Sequence, residues 1–188
     1  MKELKLISPL PPSVNHYTAV RSIIQKGKAI SVVYKTTEAK QYQKKFKEYL
    51  LNTIREQEWD YPLNKYQHYY VDCIYYFDRI DKDPSNYDKC LLDSITETQK
   101  IWVDDNVALP RVLRIYYDKD NPRIEITIKP VEYIGVFDNA SHLNQFMGKC
   151  IQCKKYKNGK CSIFTNAKIG KIQKEIIDNK CLRYKEGF

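Results

Sequence analysis

The sequence lacks any run of about twenty apolar residues, the length that a helix needs to cross a bilayer, so no membrane-spanning helix is expected. Residues 1–7, which read Met-Lys-Glu-Leu-Lys-Leu-Ile, also lack the long apolar stretch of a signal peptide and are typical of a first strand. Both absences predict a cytoplasmic protein, in which thiols stay reduced. The six cysteines are therefore expected to be metal ligands or buried thiols rather than disulfides.

Acidic residues are scarce relative to basic ones: 23 Asp and Glu stand against 32 Lys and Arg, and the formal net charge is +9. Such a charge favours a polyanionic partner such as nucleic acid. Hydrophobic residues make up 43% of the chain, which indicates a globular protein rather than a disordered one. Histidine is rare, and His68 and His142 have no partner pattern that would indicate a site.

Several of the acidic residues gather between residues 76 and 105. The apolar, Tyr-rich run from Tyr69 to Phe77 predicts a strand, and the Asp-Pro-Ser-Asn sequence at 83–86 predicts a turn that caps a helix. Lys89 and Asp93 are four residues apart, so they share one face of that helix. Asp81 and Asp83 follow the predicted strand, and Asp104 and Asp105 follow a second short apolar run. Carboxylates grouped in a basic protein indicate divalent-cation chemistry on a nucleic-acid phosphodiester.

This stretch resembles the RusA family of Holliday-junction resolvases, whose motif reads Asp-x-Asp-Asn-x-x-Lys, followed by an Asp four residues after the Lys and by a paired Asp-Asp. Residues 83–89 keep the first Asp, the Asn and the Lys, Asp93 keeps the next position, and residues 104–105 are similar to the final pair. A second block, Pro-Pro-Ser-Val-Asn-His-Tyr at 11–17, resembles the family's N-terminal Pro-Pro-Ser-x-Asn motif. The resemblance spans about residues 4 to 128, and two ordered blocks are more specific than one.

Ser85 departs from the family pattern, because the second Asp of the motif falls on this position. A serine is a weak neutral metal ligand and does not replace the charge of a carboxylate. Asp81, two residues before Asp83, could supply the missing carboxylate if Pro84 and Ser85 are a local insertion. The register without a gap keeps the family spacing of the Asn and the Lys, and we prefer it.

The resemblance implies a Mg²⁺-dependent, structure-selective endonuclease that resolves Holliday junctions in DNA recombination and repair. It also implies a homodimer, because a four-way junction offers two symmetric strands, and a phage or prophage origin. Asp83 and Asp105 are expected to act in catalysis with Lys89, which would stabilise negative charge at the scissile phosphate. The expected Mg²⁺ ligands are the carboxylates of Asp81, Asp83, Asp104 and Asp105. The alternative is a catalytically weak or inactive junction-binding protein, which the serine at position 85 favours.

Two segments near the N-terminus are expected to contact DNA. Asn15 and His16 lie in the block that resembles the family's N-terminal motif. Residues 18–28 are predicted to form a basic loop, with a hairpin turn at Gly27. The cations of that loop are Arg21, Lys26 and Lys28.

The order of predicted elements over residues 1–130 is β, β, α, β, α, β, β, which indicates an α/β (α+β) domain with one mixed sheet and helices packed on it. The family resemblance implies the same RusA-like fold. Cys73 and Cys90 fall in the predicted central strand and second helix, and we expect both to be buried packing residues.

Beyond Pro130 the resemblance ends, and a small Cys-rich module is predicted. Residues 131–148 are expected to be a connector, and residues 149–188 a separate tail with four cysteines, Cys150, Cys153, Cys161 and Cys181. A Cys-x-x-Cys pair followed by two more cysteines favours a tetrahedral thiolate Zn²⁺ site, and an iron–sulfur cluster uses the same ligands. The competing interpretation is free thiols on a helical tail. A tail with few large apolar side chains needs a disulfide or a bound metal to fold.

Overall fold

The computed structural model describes residues 2–64 and 66–187. Two compact units make up the chain: the first ends at Pro130 and the second begins at Val131. The elements of the first unit are β1 (Leu4–Pro9), α1 (Val14–Tyr17), β2 (Thr18–Gln25), β3 (Lys28–Lys35), α2 (Thr37–Glu56), β4 (Tyr69–Phe77), α3 (Ser85–Thr96), a 3-10 turn (Asp105–Val107), β5 (Ala108–Tyr117) and β6 (Arg123–Pro130).

A four-stranded sheet in the order β1-β6-β4-β5 forms the first unit's scaffold. Strand β4 runs parallel to β5 and antiparallel to β6, and β6 runs antiparallel to β1. The chain crosses from β4 to the parallel strand β5 through α3, because parallel neighbours need a crossover connection. The predicted mixed sheet with packed helices is therefore confirmed.

One face of the sheet is buried beneath the helices, since alternate residues of a strand point to the same side. Strand β4 buries Tyr69, Val71, Cys73, Tyr75 and Phe77 in the core. Helix α2 begins where the Thr36 hydroxyl accepts a hydrogen bond from the backbone N–H of Ala39, at 3.2 Å. Its apolar stripe and that of α3 complete this core, and Cys90 of α3 is buried as expected.

Strands β2 and β3 pair with each other as a separate two-stranded hairpin. The turn is formed by Lys26 and Gly27, which both have positive φ, as a tight hairpin turn requires. The basic loop predicted over residues 18–28 is thus wrong in its backbone, because Thr18–Gln25 is a full strand that pairs along its length with β3. The hairpin turn at Gly27 is confirmed.

The second unit contains α4 (Ala140–Ile151), α5 (Ser162–Lys168) and the short strands β7 (Ile176–Ile177) and β8 (Lys180–Cys181). Its small core contains Phe137, Phe146 and Phe164. Two of these phenylalanines come from residues 131–148, so the segment expected to be a connector is part of the packed unit.

No helix within the described residues is long and apolar enough to span a membrane.

Candidate active site

Lys89 lies on the exposed side of α3 and contacts two carboxylates. Its Nζ is 2.8 Å from Oδ1 of Asp93, one turn further along the helix, and 3.4 Å from Oδ2 of Asp105, in the segment before β5. The hydrogen bond to Asp93 raises the pKa of Lys89, so the amine stays protonated. The predicted residues Lys89 and Asp105 are therefore brought together, and the side chain of Lys89, 60% exposed, can be reached from solvent.

Two buried residues fix the segment that carries Asp105. Ile101 and Trp102 are fully buried, and the indole N–H of Trp102 donates a 2.6 Å hydrogen bond to the hydroxyl of Thr96 at the end of α3. Asp104 then caps the 3-10 turn, since its Oδ1 accepts the backbone N–H of Asn106 at 3.0 Å. The two adjacent aspartates thus differ in their contacts: Asp104 holds the turn and Asp105 faces Lys89.

Tyr17, at the end of the N-terminal Pro-Pro-Ser block, reaches the same cluster. Its hydroxyl donates a 2.5 Å hydrogen bond to Oδ2 of Asp93 and accepts one from the amide of Gln43. The ammonium of Lys35 lies 5.6 Å from the centre of the Tyr17 ring. Burial pushes the pKa of Asp93 upward, but the hydrogen bonds from Lys89 and Tyr17 outweigh it, so this carboxyl stays ionised.

Asp83 and Asp88 form a second pair of carboxylates at the start of α3. Asp83 Oδ1 accepts hydrogen bonds from the backbone N–H of Ser85, at 3.0 Å, and from the Ser85 hydroxyl, at 2.9 Å. Asp88 Oδ1 accepts the hydroxyl of Tyr75 at 2.9 Å. Burial raises the pKa of Asp88, and the nearby charge of Asp83 adds to that rise against the opposing effect of the Tyr75 hydrogen bond. Asp83 is thus hydrogen-bonded to the start of the helix, whereas Asp88 is hydrogen-bonded to the buried strand β4.

Helical spacing arranges these groups along α3. Ser85, Lys89 and Asp93 are four residues apart, so they lie on one stripe of the helix surface. Asp88 is three residues after Ser85 and is its neighbour on that surface. The sequence interpretation missed Asp88 and Tyr17. The i+3 spacing from Ser85 could have indicated Asp88, whereas nothing local links Tyr17 to Asp93.

Asp81 has a different partner. Its carboxylate pairs with the guanidinium of Arg79 at 2.8 Å, and both side chains are mostly exposed. Among the contacts that the structure describes, this pair is the one that Asp81 makes. Asp83, two residues further along, instead accepts the hydrogen bonds of Ser85, so the two candidate carboxylates differ in their contacts.

The residues expected to contact DNA lie in two places in the first unit. Asn15 and His16 are exposed on the single-turn helix α1, whose His16 carbonyl accepts the Thr36 hydroxyl at 2.7 Å. The cations Arg21, Lys26 and Lys28 are exposed on the β2–β3 hairpin and its turn.

The four cysteines expected to bind a metal line one cavity of about 360 Å³ within the second unit. All of them are free thiols. As the side chains stand, no three His, Cys, Asp or Glu residues in the described part of the chain are already arranged as a metal site. This applies both to these cysteines and to the carboxylates around α3.

A protein-family model described as endodeoxyribonuclease RusA matches residues 9–129. The match contains all of the residues just described around α3, the Pro-Pro-Ser block and the β2–β3 hairpin, and it stops before the cysteine cavity. No curated protein matches the chain.

Proposed function

The chain belongs to the RusA endodeoxyribonuclease family, and from that membership we propose that it is a Mg²⁺-dependent endonuclease that resolves Holliday junctions. The observation that carries the proposal is the contact of Lys89 with both Asp93 and Asp105. This contact joins the Lys of the motif at residues 83–89 to the last Asp of the pair at 104–105. Asp83 and Asp88 lie on the same part of the chain, at the start of α3. A cation among carboxylate oxygens on an accessible helix face is suited to phosphoryl chemistry.

The residues at the start of α3 suit a hard divalent cation. Asp83 and Asp88 provide oxygen ligands around the start of α3, where a bound cation would offset the burial and the charge of Asp83 that raise the pKa of Asp88. Asp105 is the third carboxylate that we assign to the metal, and Asp81 and Asp104 are secondary ligands. When bound there, Mg²⁺ would polarise a phosphate oxygen and lower the pKa of a water molecule.

Lys89 is the residue that we assign to the scissile phosphate. The ammonium can donate to a non-bridging oxygen and stabilise the charge that develops there. Asp93 holds that ammonium from one side and is itself held by the Tyr17 hydroxyl, so Tyr17 is a positioning residue.

Branched DNA is the proposed substrate, and a homodimer is the proposed active form, because paired cuts across a junction need two equivalent sites. The β2–β3 hairpin, with Arg21, Lys26 and Lys28, is assigned to the phosphate backbone beyond the cut. Asn15 and His16 of α1 are assigned to the DNA near the cleavage site, because the same helix ends at Tyr17, which contacts Asp93.

A second candidate function is a junction-binding protein with little or no cleavage. Ser85 favours it, because its hydroxyl hydrogen-bonds Asp83 where the family motif has a carboxylate. Asp88, the neighbour of Ser85 on the helix surface, favours the nuclease, because it supplies a carboxylate next to the position at which the family motif has one.

Cleavage of a synthetic four-way junction tests the proposal. The unaltered protein is expected to cut in Mg²⁺ and not in EDTA. Lys89→Ala is expected to cut about a hundredfold more slowly, with junction affinity changed by about twofold at most. Lys44→Ala, which removes an ammonium from an exposed residue of α2, is the matched control and should cut normally.

The outcomes separate the two functions. Tight junction binding by the unaltered protein with no cleavage in Mg²⁺ or Mn²⁺ would support the junction-binding protein. Cleavage that persists in EDTA would contradict the metal assignment. A Lys89→Ala protein that cuts normally once bound but binds weakly would show that Lys89 is an ordinary phosphate contact.

A further inference from the structure

The cavity of the second unit combines an apolar surface with thiols and cationic side chains. Four thiols line it, from Cys150, Cys153, Cys161 and Cys181. The same wall carries four cationic side chains, Lys149, Lys155, Lys180 and Arg183, and the described residues that line the cavity include no carboxylate. A cluster of thiolates around a divalent ion carries a net negative charge, and a cationic wall stabilises that charge.

Cys150 and Cys153 are presented by a tight turn at the end of α4. The backbone N–H of Cys153 donates to the carbonyl of Cys150 at 3.0 Å, which brings the two residues of the Cys-x-x-Cys pair to the same side. The backbone N–H of Lys185 points at the Sγ of Cys153 at 3.4 Å. Amide groups directed at sulfur stabilise a thiolate and orient it as a ligand.

Cys161 and Cys181 are presented by two equivalent hairpins. In the first, Asn158 and Gly159 both have positive φ, and Lys157 pairs with Lys160. In the second, Asp178 and Asn179 both have positive φ, and Ile177 pairs with Lys180. Two successive residues of positive φ are typical of the tight turn that joins paired strands. Each hairpin is followed directly by a cysteine that lines the cavity.

Packing alone gives this unit little stability, because its core is small. Asn158, Asp178 and Asn179 adopt the left-handed region, which Asn and Asp tolerate better than other side chains, so the two turns are suited to their residues. Among the described residues, the core cluster of this unit contains five buried residues, one of which is Cys150 itself. Units of this size commonly need a disulfide or a metal to fold, and all four cysteines are free.

We propose that Cys150, Cys153, Cys161 and Cys181 bind one structural zinc ion through four thiolates. Because the four side chains are not yet arranged as a metal site, binding requires them to turn inward across the cavity that they line. Zinc suits this arrangement, since structural sites with four thiolates are tetrahedral and closed to solvent. Soft thiolates do not select Mg²⁺, so this site and the carboxylates around α3 hold different metals.

Metal analysis of the full chain, expressed with zinc and purified without chelators, tests the proposal. We expect about one zinc per chain in the unaltered protein. Cys90→Ala, which removes a buried thiol of the first unit, is the matched control and should keep its zinc. Cys161→Ser and Cys181→Ser, one for each hairpin, should each lose most of it.

Two further measurements separate loss of a ligand from loss of the fold. Cobalt added to the metal-free full chain should give the visible spectrum of a tetrahedral four-thiolate site. In Cys181→His, which keeps four ligands, cobalt should still bind with that spectrum shifted. Limited proteolysis after zinc removal should degrade the chain beyond Pro130 and leave a resistant fragment that ends near it.

Iron with acid-labile sulfide, bound through these four cysteines, would overturn zinc in favour of an iron–sulfur cluster. A metal-free protein whose second unit is as resistant to protease as the zinc-supplied protein would overturn the site altogether. Neither result would affect the cleavage assay of the first unit, so failure here is distinguishable from failure of the proposed nuclease.

Discussion

The hydroxyl of Tyr17 donates a 2.5 Å hydrogen bond to the carboxylate of Asp93, which in turn holds the ammonium of Lys89. The two partners are 76 residues apart in sequence, one in the N-terminal block and the other on α3. This contact explains why two separate motif blocks occur in one site. The N-terminal block supplies the tyrosine that holds Asp93, and Asp93 belongs to the block on α3.

Tyr17→Phe is expected to lower the cleavage rate by about tenfold and stability by about 1.5 kcal/mol, because one hydrogen bond to a charged group is lost. Junction affinity should be unchanged. Tyr34→Phe, which removes a hydroxyl from the exposed β2–β3 hairpin, is the control. Single-turnover cleavage and urea unfolding measure the two effects, and a variant that loses stability alone would assign Tyr17 a structural role.

Asp88→Asn is expected to reduce cleavage strongly while leaving the fold intact, because it removes a carboxylate beside Ser85 without changing its shape. Adding Ser85→Asp to that variant should restore much of the activity, since it returns a carboxylate to the neighbouring surface position. Asp83→Asn should abolish cleavage and should not be rescued by Ser85→Asp. Cleavage measured across a Mg²⁺ titration checks these results; full activity of Asp88→Asn would remove Asp88 from the site.

The β2–β3 hairpin should dominate the salt dependence of junction binding. Replacing Arg21, Lys26 and Lys28 by Gln is expected to lower the steepness of log affinity against log salt by about 2 to 3. The reason is that fewer counterions are released on binding when three phosphate contacts are missing. Replacing three exposed lysines of α2, Lys40, Lys44 and Lys45, by Gln changes the net charge equally and serves as the control. Equal slopes for the two triple variants would show that only net charge matters.

Asp72 of β4 is expected to make stability depend on acidity. Its carboxylate, 6% exposed, receives two hydrogen bonds from Arg111, at 2.6 and 2.8 Å, and an ion pair from Lys129 at 3.2 Å. Burial pushes the pKa of Asp72 upward, but these cations outweigh it and hold the pKa below its usual range. A lowered carboxyl pKa contributes stability above the ordinary value of about 3.9, and that stability is lost as pH falls through the folded-state pKa.

The measurement is urea unfolding at neutral and acidic pH. Asp72→Asn should lower stability by about 2 kcal/mol at neutral pH, a figure reduced because Arg111 is partly exposed. The difference from the unaltered protein should shrink below about pH 4. Asp60→Asn, at a mostly exposed carboxylate, is the control. A difference that stays constant with pH would contradict the ionised pair.

Much of the site could be predicted from sequence because its parts are local. The strand β4, the turn at Asp83 and the spacing of Lys89 and Asp93 all follow from patterns within one short stretch. The position of Asp105 followed from the family's paired Asp-Asp. These features depend on helix geometry and on hydrogen bonds between residues that are close in sequence. The spacing and type of those residues therefore predict them.

The missed features depend on distant contacts or on an absent pattern. Nothing in the neighbourhood of Tyr17 indicates Asp93, because the contact exists only after α3 packs beside the N-terminal block. The strand β2 was mistaken for a loop because its residues are largely exposed, so the alternation that marks a half-buried strand is weak. Asp104 and Asp105 are adjacent in sequence, and only the folded structure shows that Asp104 caps the turn at Asn106 while Asp105 contacts Lys89.

Pairing of β1 with β6 has a consequence for the way in which the protein is made. Leu4 pairs with Ile128, so among the described residues β1 has its sheet neighbour in β6, the last strand of the first unit. Pairings that join the ends of a unit close a long loop and form slowly. During synthesis β1 therefore stays unpaired until β6 has been made. An unpaired strand exposes its backbone N–H and C=O groups, and nascent chains can aggregate at such an edge.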